Sequence, residues 1–225
     1  MGTLAIATHR AGTAARFPVR DLIGILLDGD ESAALDVAEH VLETTGSRLA
    51  VFADLLHPAQ AEVGELWYTG RVSYMDEVRV AAAVRRLVER LPATPVARPV
   101  PTGTRCVLAV PPGDPHDLGL LMLSLALQDH GWSTEIVCPI RSLREVADLV
   151  VERRPRLFGL SAGVLPPMPQ VAPAIAAIRR AQVPVLVGGV ALNRRPDLAR
   201  RLDAVGLGTD VRVGVVLAQR LAARR

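Results

Sequence analysis

Apolar residues in the first part of the chain recur at helical spacing. From Glu31 to Glu43, the residues Ala34, Val37, Ala38, Val41 and Leu42 share one face, and Asp30 stands where an N-cap belongs. Asp28-Gly29-Asp30 ends a shorter helix before it. Thr44-Thr45-Gly46-Ser47 makes the next break, with Gly46 suited to a left-handed C-cap. Val51, Leu55, Leu56, Val63 and Leu66 predict a longer helix from Arg48 to Trp67. After the turn at Thr69-Gly70, Ser73 caps a fourth helix running to about Leu91. Four helices joined by short turns predict a small bundle over residues 1–91.

Residues 92–104 hold Pro92, Pro95, Pro99 and Pro101, which can continue neither a helix nor a central strand, so this stretch reads as a semi-rigid linker. From residue 105 to 225 the pattern changes. Short, nearly continuous apolar runs at Arg105–Val110, Ser133–Val137, Leu157–Leu160, Val183–Val187 and Ala204–Gly206 alternate with amphipathic stretches. Those stretches begin near Asp117, Ser142, Pro169, Arg195 and Thr209. The predicted class is therefore α/β: an N-terminal four-helix bundle, then a doubly wound parallel sheet of the flavodoxin-like or Rossmann-like kind. Ligands of such sheets lie at the carboxyl ends of the strands.

Composition narrows the class further. Of 225 residues, 50% are hydrophobic but only 3% aromatic, so the cores are aliphatic and a disordered chain is excluded. Two cysteines, Cys106 and Cys138, exclude a disulfide scaffold and read as inert small hydrophobes at strand ends. No apolar run approaches the roughly 20 residues of a membrane span. Met1 to Arg20 lacks a signal-peptide core, so a cytoplasmic protein without membrane contact is expected. The net charge of +3 invites a nucleic-acid reading, but all 26 basic residues are arginine and lie scattered among the acids. Without a basic stripe interleaved with aromatics, no direct DNA binding is expected.

The candidate chemistry lies in the loops after the strands. The first reads Asp114-Pro115-His116-Asp117-Leu118-Gly119. A histidine two residues from a carboxylate suits a metal ligand whose other ring nitrogen that carboxylate orients; the plainer alternative is an Asx turn with His116 capping a helix. The third strand ends in Ser161-Ala162-Gly163 and the fourth in Gly188-Gly189, where paired glycines allow close backbone approach. The fifth leads into Gly206-Leu207-Gly208-Thr209, with Thr209 as N-cap. His40 and His57 read as helix-face or satisfied core residues, and His130-Gly131 as a helix C-terminus; His9 also lacks metal-site spacing.

Asp114, His116 and Gly119 match the D-x-H-x-x-G signature of cobalamin-binding domains, which the chain resembles over nearly its whole length. Ser161 and Gly188-Gly189 fall at that family's S-x-L and G-G motifs, with Gly163 replacing the Leu. The resemblance implies base-off, His-on binding, with His116 as lower axial ligand of cobalt and Asp114 and Ser161 as its relay. The displaced nucleotide tail would run along Gly188-Gly189 and the turn of Gly206, Gly208 and Thr209.

Trp67, Glu77 and the nine residues between them resemble the W-x9-E-H element of the light-sensing cobalamin domains of MerR-type regulators. That resemblance implies that Trp67 covers the upper face of adenosylcobalamin and that Glu77 contacts its adenosyl group. Val78 departs from the element, since valine cannot supply the histidine that ligates cobalt after photolysis. Tyr68, Tyr74 and Met75 lie close by in sequence; relatives resembling photocobilins hold a bilin such as biliverdin as a second chromophore. The expected role is a photosensor or signalling module rather than an enzyme. Its expected partner is a second copy of the chain or a regulatory protein, because the twenty residues before the bundle are too few for a winged helix. The alternatives are a corrinoid shuttle carrying a methyl group between methyltransferases, which needs no Trp cap, and a mutase subunit, for which no substrate barrel is present.

Overall fold

The computed structural model describes residues 18–138 and 140–223. Four helical rods form the first half: α1 (Val19–Asp28), α2 (Glu31–Thr45), a continuous rod from Arg48 to Tyr68, and α5 (Tyr74–Arg90). Their ends obey local chemistry. The Asp30 carboxylate accepts the Ala33 N–H at 3.0 Å, and Gly46 turns left-handed after α2. Ser73 and Asp76 form a reciprocal capping box on α5. The third rod departs from a plain helix: between α3 (Arg48–Val51) and α4 (His57–Tyr68), residues Phe52–Leu56 form a π-helical turn. The wider turn shifts the face of the rod, so that Phe52, Leu55 and Leu56 are fully buried while Asp54 faces the second domain.

The second half runs β1 (Arg105–Ala109), α6 (Leu118–Asp129), β2 (Ser133–Val137), α7 (Leu143–Arg153), β3 (Leu157–Ser161), α8 (Met168–Arg180), β4 (Val185–Gly188), α9 (Val190–Asn193), α10 (Pro196–Arg201), β5 (Val205–Gly206) and α11 (Val211–Ala223). All strands are parallel, in the order β2-β1-β3-β4-β5, the flavodoxin-like arrangement. β4 begins two residues later than expected because Pro184 has no N–H for the ladder; its carbonyl instead accepts from Phe158 N at 3.0 Å. The short helix α9 follows directly on Gly189, where periodicity over so few residues carries no signal. Asp210, not Thr209, occupies the cap position of α11, its carboxylate accepting the Arg212 N–H at 2.9 Å.

The two halves are joined by a shared core. Met122 of α6 is buried in the bundle's own cluster with Leu22, Val84 and Leu87, and Leu118, Leu121 and Leu125 pack beside it. Burying such a side chain stabilises by about 1.5–3 kcal/mol. At its edge the Arg48 guanidinium forks onto Asp129 (Nε to Oδ2 3.0 Å, Nη2 to Oδ1 2.6 Å) and donates to the Leu125 carbonyl at 2.8 Å. The proline-rich stretch is tied into this knot: Thr94 N donates to Asp129 at 3.1 Å, Val96 N to the Asp129 carbonyl at 3.0 Å, and Val100 N to the His130 carbonyl at 2.9 Å. It is a fastened strap rather than a free spacer. Among the described residues, no helix is long and apolar enough to cross a membrane.

Candidate functional site

The strand order reverses between β1 and β3, so the loops after these two strands open a crevice at the carboxyl edge of the sheet. One side chain closes the base of that crevice. Asp114 is 8% exposed, and its carboxylate collects donors from both loops. Oδ1 accepts the His116 N–H at 3.0 Å and lies 2.7 Å from His116 Nδ1; Oδ2 accepts from Gly163 N at 2.7 Å and Val164 N at 3.1 Å. Burial by itself would raise its pKa, but the hydrogen bonds from Val164, His116 and Gly163 outweigh it and hold the carboxyl below its ordinary range.

The Asx turn is therefore present, but His116 does not cap α6: Asp117 occupies that position, without a side-chain cap bond. With Nδ1 engaged by Asp114 and the side chain 60% exposed, Nε2 is the nitrogen open to a metal. Ser161 lies buried at the end of β3, yet its hydroxyl makes no hydrogen bond to Asp114 or His116. Two backbone N–H groups from the next turn saturate Oδ2 instead, so the link from β3 to the histidine runs through the main chain.

The glycines have distinct surroundings. A Cβ on Gly189, at φ +87°, would lie 2.4 Å from the Ala162 carbonyl oxygen, and one on Gly188 would lie 2.8 Å from Leu207. Their close approach is thus of chain to chain, drawing the ends of β3, β4 and β5 together. Gly119 and Gly208 face open space, and Gly206 makes only ordinary contact with Ala199. Thr209 is exposed beside them.

Two ion pairs bring the bundle to the same edge of the sheet. Arg85 of α5 pairs with Asp117, next to His116, and Glu65 of α4 reaches Arg194, just past β4, at 3.7 Å. Nothing in the local sequence signals either. Trp67 is 45% exposed, its ring 5.9 Å from that of Tyr74, so it is not a core residue. Glu77 accepts from Gln60 Nε2 at 3.1 Å. Tyr68, Met75 and Val78 are also exposed, as are Val164, Leu165 and Val190 on the loops after β3 and β4. Large apolar side chains left open on both domains are surfaces that a broad, mostly apolar ring system would cover. The donor set thus fits a corrinoid: one histidine with its second nitrogen held, and among the described residues no cluster of further metal-binding side chains.

Other residues stand apart from this edge. Cys106 is buried, whereas Cys138 lies one residue past β2 and is exposed rather than a strand-end hydrophobe, with its thiol pKa pushed up by partial burial and by nearby Asp117. His40 is exposed on α2, His57 is half-buried at the start of α4, and His130 Nδ1 lies 2.8 Å from the Ala126 carbonyl at the end of α6. His9 lies outside the described residues.

A B12-binding-domain model matches residues 104–216, and a second, also described as a B12-binding domain, matches residues 19–91. The HTH-type transcriptional repressor CarH of Myxococcus xanthus is 29% identical over 177 residues, 77% of this chain and 58% of the repressor. CarA, an HTH-type transcriptional repressor of the same organism, is 29% identical over 136 residues, 60% of this chain and 43% of that protein. The chain thus spans about half the length of these curated relatives. Among solved structures, the monomethylamine corrinoid protein of Methanosarcina barkeri shares the fold, with a TM-score of 0.70 at 13% identity, covering 89% of this chain and 96% of that one. With one matched model over the α/β half and another over the bundle, the chain belongs to the B12-binding-domain family.

Proposed function

We propose that this chain is a sensory module that holds adenosylcobalamin between bundle and sheet and signals when light breaks the cobalt–carbon bond. The observation that carries the reading is the exposed Trp67–Tyr74 pair, with Glu77 on the same bundle. An aromatic lid suits a ligand whose upper substituent must be covered, whereas a methyl shuttle has to leave that face open to a partner enzyme.

His116 would hold the metal through Nε2, with Asp114 fixing the ring and its tautomer. Gly119 leaves room beside it, and the loops ending in Gly188-Gly189 and Gly206–Thr209 would flank the nucleotide tail. The bound group supplies a light-sensitive metal–carbon bond. The chain's own residues orient it, cover it and exclude water. The role is non-enzymatic in this reading, with readout through a second copy or a regulatory protein in the cytoplasm. The repressor relatives support a regulatory role, and the corrinoid protein shares only the fold. The exposed Tyr68, Tyr74 and Met75 offer walls for a second planar chromophore of the biliverdin type.

The test is the absorption spectrum of purified protein with adenosylcobalamin, dark and illuminated, for wild type and His116→Ala. A light-dependent corrinoid spectrum whose nitrogen-ligated form disappears in the variant supports the reading. Light-inert binding, or an unchanged variant spectrum, overturns it. Demethylation of bound methylcobalamin by an added methyltransferase partner would favour the shuttle.

A further inference from the structure

The amino edge of the sheet, opposite His116, carries a cavity of about 390 Å³ lined by Thr102, Gly103, Arg105, Arg154, Arg156 and Ala222. Three arginines from two segments of the chain line it. Arg105 opens β1, while Arg154 and Arg156 flank Pro155 in the connection from α7 to β3. The sheet itself forces two of them together: Cys106 and Leu157 are register partners, and Arg156 N donates to the Arg105 carbonyl at 2.9 Å. Like charges at neighbouring strand ends repel, and a bound anion would relieve that repulsion.

Nothing among the described residues plays that part. Among the described residues no carboxylate lines the cavity, and neither Arg105 nor Arg154 forms an ion pair, although the adjacent Arg153 is paired with Glu135. The Arg156 guanidinium reaches only the Ala222 carbonyl. The opposite wall, the turn at Thr102-Gly103, leaves both backbone N–H groups without an acceptor inside the described chain.

The backbone at Arg154 allows its side chain to be tested cleanly. Arg154 sits at φ +44°, ending α7 in the left-handed conformation usual for glycine. Its N–H bonds to Val150 O, which a glycine would do equally well without the Cβ strain. Gln182 and Asp203 take the same left-handed conformation just past α8 and α10, so this is the usual helix end in this chain, and glycine at 154 removes the side chain without disturbing the backbone.

We propose that this cavity binds the diphosphate group of a small phosphorylated ligand, a site separate from the corrinoid crevice. Guanidinium forks match phosphate oxygens in pairs, and three of them with two free backbone N–H groups suit a diphosphate better than a lone phosphate. The volume leaves space for a further ligand moiety of modest size.

The test is isothermal titration of the full chain with pyrophosphate in phosphate-free, low-salt buffer, compared with inorganic phosphate and a short DNA duplex. Saturable pyrophosphate binding is expected, at least tenfold tighter than phosphate. Arg154→Gly should lose tenfold or more of that affinity while melting at the same or a higher temperature, and Arg105→Gln should lose affinity as well. No saturable binding of pyrophosphate, equal binding by the variants, or binding of the duplex but not pyrophosphate would overturn the proposal.

Discussion

Gly163 packs directly against the imidazole of His116: a Cβ at position 163 would come within 2.4 Å of the ring's Cγ and 2.5 Å of Nδ1. The motif that the chain resembles has Leu here, and the missing side chain is the space the ring occupies. The same turn donates the Gly163 and Val164 N–H groups to Asp114, so one short segment both supports the ring and fixes its partner.

Gly163→Leu should therefore push the ring off Asp114 Oδ1 and weaken nitrogen ligation of bound cobalamin. A loss of about tenfold in affinity, ~1.4 kcal/mol, is expected in an absorption titration. Unchanged affinity with an unchanged nitrogen-ligated spectrum would mean that the ring leaves Gly163 on binding.

Acid should act in two windows. Burial lowers the pKa of His57, with Asp210 opposing weakly. The fold thus favours the neutral ring, and stability declines as pH falls from about 6.5 through the lowered value. Asp114, whose folded pKa is depressed, contributes fully above about pH 3.9 and loses its contribution as pH falls through its folded value. Melting temperatures across pH should show His57→Gln flattening the upper slope and Asp114→Asn the lower.

The Arg48–Asp129 pair is almost wholly buried, with side-chain exposures of 6% and 3%. Asp129→Asn should cost about 3–5 kcal/mol in denaturant unfolding, since it leaves a buried guanidinium without its charge partner. Replacing both residues by Met and Leu should cost much less than the sum of the single changes. Additive losses would contradict the account.

Trp67→Ala should barely change the melting of the free protein, because the side chain is 45% exposed. A buried tryptophan would cost about 3–5 kcal/mol. The same variant should loosen adenosylcobalamin while leaving hydroxocobalamin nearly unaffected. Equal weakening of both would remove the covering role.

Val78 supplies no ligand atom, so the illuminated protein should exchange its upper ligand readily with added cyanide or imidazole. Val78→His should slow that exchange and give a bis-imidazole spectrum. A ligand-inert photoproduct in the wild type would mean that another histidine reaches the metal.

Much of this molecule was legible from the sequence. Period and punctuation predict four helices, the alternation of strand and helix, and the loops that would carry chemistry, because capping at Asp30 and Ser73 and the apolar runs of β1 and β3 are local effects. His116 and Asp114 could be paired because only Pro115 separates them. The π turn at Phe52–Leu56 was not legible, since the one-residue shift in hydrogen bonding leaves the helical spacing of Val51, Leu55 and Leu56 almost unchanged. Nor was the strap at Thr94, the link from Asp114 to Gly163, or the joining of Arg85 to Asp117. Those contacts span some thirty to fifty residues along the chain, and no local propensity encodes a partner that only folding brings near. The arginines show the limit most plainly. Along the chain they are dispersed among acids, but the register of β1 with β3 gathers Arg105, Arg154 and Arg156 into one cavity. Sequence determines which charges exist; the parallel sheet decides which of them must share a space.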